Sequence, residues 1–314
     1  MKSNWSWGSD PEFVFQKNGK ICSAIGFLKG DKEKKTVIAP YEFYYDNVLG
    51  ECTLPPTYSK VETVDNIRNC LQTFSKLIAP CELLIQASHK YDQQQLNHED
   101  AFKVYCVAES CCYSMMEVER DEEIFHKTNL RSAGGHIHLG APFLKKGYAS
   151  WTTARLMDLF LGIPSVFLDQ DPTSKRRKDI YGKAGRFRIT DYGIEYRSLG
   201  NFWLASPRLV ELIYDLSEFV LAFVESSLWK ELWFIDEAKI NDDKSWLDRK
   251  FDPAKCHQAK YNASLMRKAI DTCDKELAKE FMIFIKNFIP KEIYSRIETL
   301  STCKFDFKKE WDIE

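Results

Sequence analysis

Apolar and polar positions change period several times along this chain, and each change marks an element. Residues 8–15 alternate as a strand does, and Lys17-Asn18-Gly19-Lys20 is a hairpin turn that returns the chain through 21–25. Segments 37–39, 42–48 and 50–54 read as extended, up to Pro55-Pro56. The period then lengthens: Val61, Val64, Ile67, Leu71, Phe74 and Ile78 recur at helical spacing, Ser59 and Glu62 fit a capping box, and Pro80 is the stop. Residues 82–87 return to strand, 93–123 show no period and read as irregular or helical, and 130–140 alternate again. Residues 151–168 predict an amphipathic helix kinked at Pro164. The stretch 175–200 reads as loop, strand, turn and strand. Ser206 as N-cap and Pro207 at the first position open a long helix with Leu209, Leu212, Leu216, Phe219 and Phe223 on one face, and the chain to about residue 300 reads as mostly helical. Strands in non-alternating groups, with helices between and after them, predict an α+β fold whose antiparallel sheet is covered on one face. The other face of such a sheet can stay polar, and chemistry is expected there.

Composition narrows the classes. With 314 residues the chain can bury a full core without staples. Basic and acidic side chains number 44 and 46, so no global field draws it to nucleic acid or anionic lipid, and direct nucleic-acid binding is not indicated. Ten cysteines show no framework spacing, and the first eight residues contain no apolar signal core. A reducing cytoplasm is therefore expected, with Cys111 and Cys112 as buried thiols. No run of about 18 uncharged apolar residues exists, so no transmembrane helix is expected.

Four constellations carry chemistry. In Gly8-Ser9-Asp10-Pro11-Glu12-Phe13, a continuous strand would put Asp10 and Glu12 on one face, either as a solvated edge or as a hard-cation site. Asp46-Asn47-Val48-Leu49-Gly50-Glu51 adds Glu51 at an otherwise uncharged strand end. In Arg131-Ser132-Ala133-Gly134-Gly135-His136-Ile137-His138, the two imidazoles alternate with apolar residues onto one face, and the paired glycines let backbone or ligand come close. The fourth runs from Lys175 to Arg197 and holds Arg177, Tyr181, Lys183, Arg186, Arg188, Glu195 and Arg197, with glycines at 182, 185 and 193. Arginines suit bidentate contacts to phosphate or carboxylate, whereas Lys175–Lys178 also reads as a solvated charge run. Carboxylates for Mg²⁺ and arginines for phosphate suggest phosphoryl-transfer chemistry, and neither a P-loop nor a Rossmann fingerprint occurs.

In this order, Gly-x-Asp-Pro-Glu-Phe, Asp-Asn-Val-x-x-Glu-x-x-x-Pro-Pro, Arg-x-Ala-Gly-Gly-His-Ile-His-Leu-Gly and Tyr-Gly-Lys-Ala-Gly-x-Phe-Arg with Tyr-Gly-x-Glu-Tyr-Arg resemble the phage-type carboxylate–amine ligases. These ligases, the COOH.NH2 ligase type 2 family, are related to glutamine synthetase and glutamate–cysteine ligase. The resemblance spans roughly 8–205 and implies a glutamine-synthetase-like curved antiparallel sheet, with 1–205 as catalytic core and 206–314 as the helical part of the same domain. It implies ATP and Mg²⁺ as cofactors and amide formation through an acyl phosphate. Glu12, Glu51, His136 and Glu195 are the implied metal ligands. Arg197, Arg188, Arg186 and Lys183 are the implied catalytic groups, and His138, Arg177, Arg131 and Tyr181 the implied nucleotide contacts. Partners would be a carboxylate and an amine, as small molecule, peptide or modified base, in the cytoplasm of a host cell if phage-encoded; a homo-oligomer stays open. One departure stands out: around Cys111-Cys112-Tyr113-Ser114 a Gly-Cys-x-x-Asp-x-Asn-like element is expected, and its Asp and Asn are missing. A kinase of the related guanido kinase-like fold, a metal-dependent hydrolase and an inactive binding protein remain as alternatives.

Overall fold

The computed structural model describes residues 4–103, 109–118, 123–226, 232–235 and 259–313. Its strands form two larger sheets and two short pairs. In spatial order the first sheet runs Ser6–Gly8, Ile137–Gly140, Gly193–Tyr196, Arg186–Ile189, Glu109–Cys111 and Met116–Val118, with every neighbour antiparallel. The second runs Lys20–Cys22, Glu12–Lys17, Leu49–Thr53, Tyr41–Asp46 and Thr36–Ile38, with Glu82–Leu84 added beside Glu12–Lys17.

The fold is α+β, as the pattern of periods predicts, but the expected single sheet is two. The cause is local. Residues 8–15 are not one strand: Ser6–Gly8 ends before Ser9-Asp10-Pro11, and Glu12–Lys17 begins after it in the other sheet. Pro11 has no N–H to give to a ladder, so pairing stops there. Asp10 and Glu12 therefore lie on different segments and not on one strand face. Residues 130–140 divide in the same way, into Leu130–Ser132, which pairs with Ser88–Lys90, and Ile137–Gly140. The two sheets meet where these breaks touch, through the hydrogen bond from Glu12 N–H to Gly134 C=O (3.0 Å).

Helices cover one face of each larger sheet, Lys60–Ile78 lying on the second through Phe74 against Phe13, Phe15 and Phe43 and the others on the first. The Lys60–Ile78 helix starts where predicted, with Ser59 Oγ accepting from Glu62 N–H at 3.3 Å; Glu62 in turn accepts from the Tyr58 N–H. Its buried stripe is Thr63, Ile67, Cys70, Leu71, Phe74 and Ile78, so Val61 faces solvent. The 151–168 helix begins earlier, at Gly147, and its expected kink is a widened turn at Asp158–Gly162, between Gly147–Met157 and Ile163–Leu168. Pro164 lacks the N–H that would serve the turn before it and its ring crowds that turn, and widening relieves both. The wide turn aims Asp158 into the core, where Tyr196 Oη (2.6 Å) and Tyr113 Oη (2.8 Å) donate to it. The Pro207–Glu225 helix caps on Ser206 as predicted. Beyond it the described residues are mostly helical, as expected, in Ala263–Thr272, Lys275–Ile285 and Lys291–Leu300, with one unexpected parallel strand pair, Leu232–Ile235 and Ala259–Asn262, ahead of them; 227–231 and 236–258 lie outside the described residues. One apolar cluster joins Trp7, Ile137, Leu139, Phe187 and Tyr196 of the first sheet to Phe160, Leu212, Met266, Phe281 and Ile297 of these helices. Among the described residues no helix is long and apolar enough to cross a membrane, and Cys111 and Cys112 are free, buried thiols.

Arg131 shows how a charge can serve the frame. Its guanidinium is fully buried and donates to the carbonyls of Ala101, Thr128 and Leu130, over the ring of Phe102. Replacing it with Met strands these carbonyls, and Arg131→Met is expected to lower the unfolding free energy by about 3 kcal/mol, read from urea denaturation midpoints.

Candidate active site

The face of the first sheet opposite the helices carries two polar rows. Register fixes the first: Gly8 lies opposite His138, His138 opposite Glu195, and Glu195 opposite Arg188. Residues two positions away continue on the same face, which adds His136, Arg197 and Arg186. The intervening Ile137, Phe187 and Tyr196 point into the core. Glu195 is the hub. Its Oε1 is 3.1 Å from His136 Nδ1 and 3.1 Å from Arg197 Nε, and Arg188 pairs with Oε2. Glu109, on the next strand, lies 3.5 Å from Arg197 and 3.7 Å from Arg186. Burial pushes the Glu195 carboxyl up, but the bond from His136 and the surrounding cations outweigh it and hold Glu195 well below the usual carboxylate range. Burial also pushes His136 down to about 3, against its bond with Glu195, so this imidazole is neutral at pH 7. A neutral ring that donates Nδ1–H to Glu195 presents a lone pair at Nε2. That atom is buried and has no hydrogen-bond partner among the described residues.

The second sheet supplies carboxylates. Glu12 pairs directly with Glu51, which pairs with Tyr44, and Tyr44 Oη donates to Glu51 at 2.8 Å. Asp46 lies two residues along from Tyr44, on the same face. One oxygen each of Glu12, Asp46 and Glu51 lies within 4.8 Å of the others. Lys32 reaches in from a loop, 2.7 Å from Asp46 and 3.0 Å from Glu51. Burial, then the neighbouring Asp46, raises Glu12, with Lys32, the Gly134 N–H and Arg177 pulling the other way. Burial raises Glu51 to about 8, with Asp46, Glu12 and Asp10 adding to it against Lys32. Crowded oxygens with raised proton affinity are a site short of positive charge, and a hard divalent cation supplies that charge.

Gly134 joins the two halves. Its N–H donates to Glu12, and a β-carbon built on it would stand 2.7 Å from His136 Nε2 and 3.2 Å from Glu12 Oε2. A side chain there would fill the space between imidazole and carboxylate. Gly135 is equally constrained, since a β-carbon would meet Trp203 Nε1 at 2.5 Å and the Gly200 carbonyl at 2.6 Å. Glu12, Asp46 and Glu51 thus form an oxygen-rich set that would fit Mg²⁺ or Mn²⁺, and His136 Nε2 borders it on the Glu12 side, across Gly134.

Of the residues expected from sequence, the structure gathers Glu12, Glu51, His136, His138, Glu195, Arg186, Arg188 and Arg197 around this junction. Tyr181 lies beside them, its ring 5.5 Å from His136 and 5.3 Å from both Arg177 and Arg197. Arg177 is buried, and its guanidinium donates to the carbonyls of Ala133 (3.1 Å), Ser198 (3.0 Å) and Arg197 (3.4 Å), bracing the histidine loop against the Glu195 strand. Arg131 points away from the junction into its own carbonyl cage, and Lys183 is exposed on the turn before Arg186. The sequence reading missed Asp46 and Glu109 as site members, and Lys32 and Tyr44 altogether. Tyr192 was also missed: its hydroxyl lies 3.0 Å from His138 Nδ1, and Asp10 is 4.0 Å from His138 Nε2. The hairpin with Cys111 and Cys112, where an acidic element is lacking, contributes Glu109 instead. A cavity of about 610 Å³ has Arg177 in its wall with Asp169, Lys178 and Cys273, but it contains none of the metal-type carboxylates of the junction.

Comparisons with known proteins point one way in sequence and say little in structure. No curated protein matches the chain. Among solved structures, a bifunctional glutathione synthetase from Pasteurella multocida aligns with a TM-score of 0.42 and 10% identity, over 98% of this chain and 51% of that one. The chain thus spans about half the length of that synthetase. A family model described as phage phiEco32-like COOH.NH2 ligase-type 2 matches residues 127–239, the stretch that holds His136, His138, Arg186, Arg188, Glu195 and Arg197 and stops short of Glu12 and Glu51.

Proposed function

We propose that the chain is an ATP- and Mg²⁺-dependent carboxylate–amine ligase that forms an amide through an acyl phosphate, on a glutamine-synthetase-like sheet within one domain. The observation that carries this reading is the junction itself: a buried carboxylate cage facing a lone imidazole nitrogen, beside Arg186, Arg188 and Arg197. The family match over 127–239 supports the ligase class.

In this reading Glu12, Asp46, Glu51 and His136 would hold a divalent ion, which would supply positive charge against the phosphates that repel an incoming carboxylate. The substrate carboxylate attacks the γ-phosphorus of ATP, ADP leaves, and an amine then displaces phosphate from the acyl phosphate. Carboxylate is a poor acyl donor until phosphorylation gives it a leaving group. Arg197, Arg186 and Arg188 stabilise the negative charge on the transferring phosphoryl group, because they are fixed in place before it develops. Glu195 keeps the arginines and His136 aligned. Tyr181 and His138 flank the nucleotide side, Arg177 braces the strand ends behind Tyr181, and Lys183 is exposed at the rim, able to turn in.

Hydroxylamine tests the mechanism. With ATP, Mg²⁺ and a panel of carboxylic acids, an acyl phosphate is trapped as a hydroxamate, matched by ADP release. Both are expected to disappear in Arg197→Ala. Folded protein that binds no ATP by calorimetry in the presence of Mg²⁺ would sink the ligase reading, and a stable phosphorylated product with no hydroxamate would favour the kinase.

A further inference from the structure

Lys32 puts an ammonium where the divalent ion of the proposed ligase would sit. Its nitrogen is 2.7 Å from Asp46 Oδ2 and 3.0 Å from Glu51 Oε2, and these residues with Glu12 make up the cage. An ion bonded to the same oxygens at about 2.1 Å leaves no room for it. The cage is more than an acidic cluster, because the orphan Nε2 of His136 adjoins Glu12 across Gly134.

The loop that carries Lys32 is tied down. Gly30 C=O accepts from Tyr45 N–H at 2.9 Å, Asp31 bridges to Tyr45, and Asp31 Oδ1 accepts from the N–H groups of Glu33 (2.9 Å) and Lys34 (2.8 Å). The Lys32 side chain itself is a quarter exposed, so its ammonium borders solvent as well as the cage. Lys35, three residues on, pairs with Glu42 at 2.8 Å and keeps out of the cage.

We propose that metal loading at this site is an exchange, in which the ion enters as the Lys32 ammonium leaves, and that the expelled ammonium is received by the nucleotide's polyphosphate. The inference rests on the metal-dependent reading above. An ammonium pushed out beside a divalent ion is repelled by it, and a polyanion next to both removes that repulsion. Lys32 thus disfavours the bare ion and favours the ion that arrives with nucleotide, which couples the two bindings. Coupling of this kind is reciprocal, so nucleotide tightens the ion as much as the ion tightens nucleotide.

The test is Mn²⁺ titration followed by electron paramagnetic resonance, with and without a non-hydrolysable ATP analogue, on the full chain and on Lys32→Met, Lys32→Gln and Lys35→Met. Without nucleotide, Lys32→Met and Lys32→Gln are expected to bind Mn²⁺ about tenfold more tightly than wild type, and the tightening by the analogue is expected to shrink by a similar factor. Lys35→Met is expected to behave as wild type. Melting curves give a second readout, with Mn²⁺ raising Tm more in the Lys32 variants. Equal Mn²⁺ affinity in wild type and both Lys32 variants, with binding lost in Glu51→Gln, would overturn the exchange while leaving the metal site standing. No Mn²⁺ binding in any folded variant would overturn both.

Discussion

Glu51→Gln is expected to lose divalent-ion binding and, with it, about three orders of magnitude in amide formation. The substitution keeps the shape of the side chain, and Gln still accepts from Tyr44 Oη, so the pairing of Tyr41–Asp46 with Leu49–Thr53 should be kept. It removes one of the three carboxylates in the cage. The same variant carries a pH signature that separates charge from packing. Burial holds the Glu51 carboxyl up at about 8, above its ordinary 4.5. A carboxyl that binds its proton more tightly when folded contributes stability that is fully present below about pH 4.5 and is lost as pH rises through about 8. Wild type without metal should therefore lose stability over that window relative to Glu51→Gln, which has no proton to give up. Mg²⁺ or Mn²⁺ should restore it in wild type alone, more at pH 8.5 than at pH 6, because binding must expel the Glu51 proton at the lower pH. Calorimetric melting at both pH values, with and without the ion, reads all of this. Parallel pH dependence in the two proteins would remove Glu51 from the cage.

Much of this site is legible in the sequence because strands have a period of two. His136 and His138, and Glu195 and Arg197, each alternate onto one face, and the register then sets His138, Glu195 and Arg188 in a row. The Gly134-Gly135 pair announces a close approach, and both positions have one. Other members arrive by routes a single sequence does not display. Asp46 joins Glu51 through a hairpin whose Asn47 sits at φ 50°, Lys32 comes from an aperiodic loop, and Glu109 from a three-residue strand too short to show alternation. Charge alone does not say what a guanidinium faces. The family resemblance implies nucleotide contacts for Arg131 and Arg177, yet both donate to backbone carbonyls, because irregular segments leave buried C=O groups in need of donors. In the fold, the Lys60–Ile78 helix shows both its cap and its stop, and Pro164 announces a kink though not its form as a wide turn at Asp158–Gly162, whereas the break at Pro11 comes from a missing N–H that hydrophobic periodicity does not register.

Glu195→Gln is the second large effect, and it asks what a carboxylate at the centre of the arginines does. Among the described residues, His136 and Arg197 meet one of its oxygens and Arg188 the other. A Gln in its place still accepts from His136 Nδ1 but brings no charge, so the imidazole becomes a poorer donor to metal and the arginines lose their common anchor. Metal affinity is expected to fall about 10-fold or more, and turnover by about 100- to 1,000-fold, from arginines no longer fixed where phosphoryl charge develops. The roles of orienter and ligand separate in a double-mutant cycle on Mn²⁺ affinity with Glu195→Gln, His136→Ala and the pair. If Glu195 acts on the ion through the imidazole, removing the ring removes its influence, and the double variant should bind Mn²⁺ no more weakly than His136→Ala alone. Additive losses would make Glu195 a ligand in its own right, one that leaves Arg188 or Arg197 when the ion binds, and those arginines would then be released toward phosphate by the metal and not held ready for it.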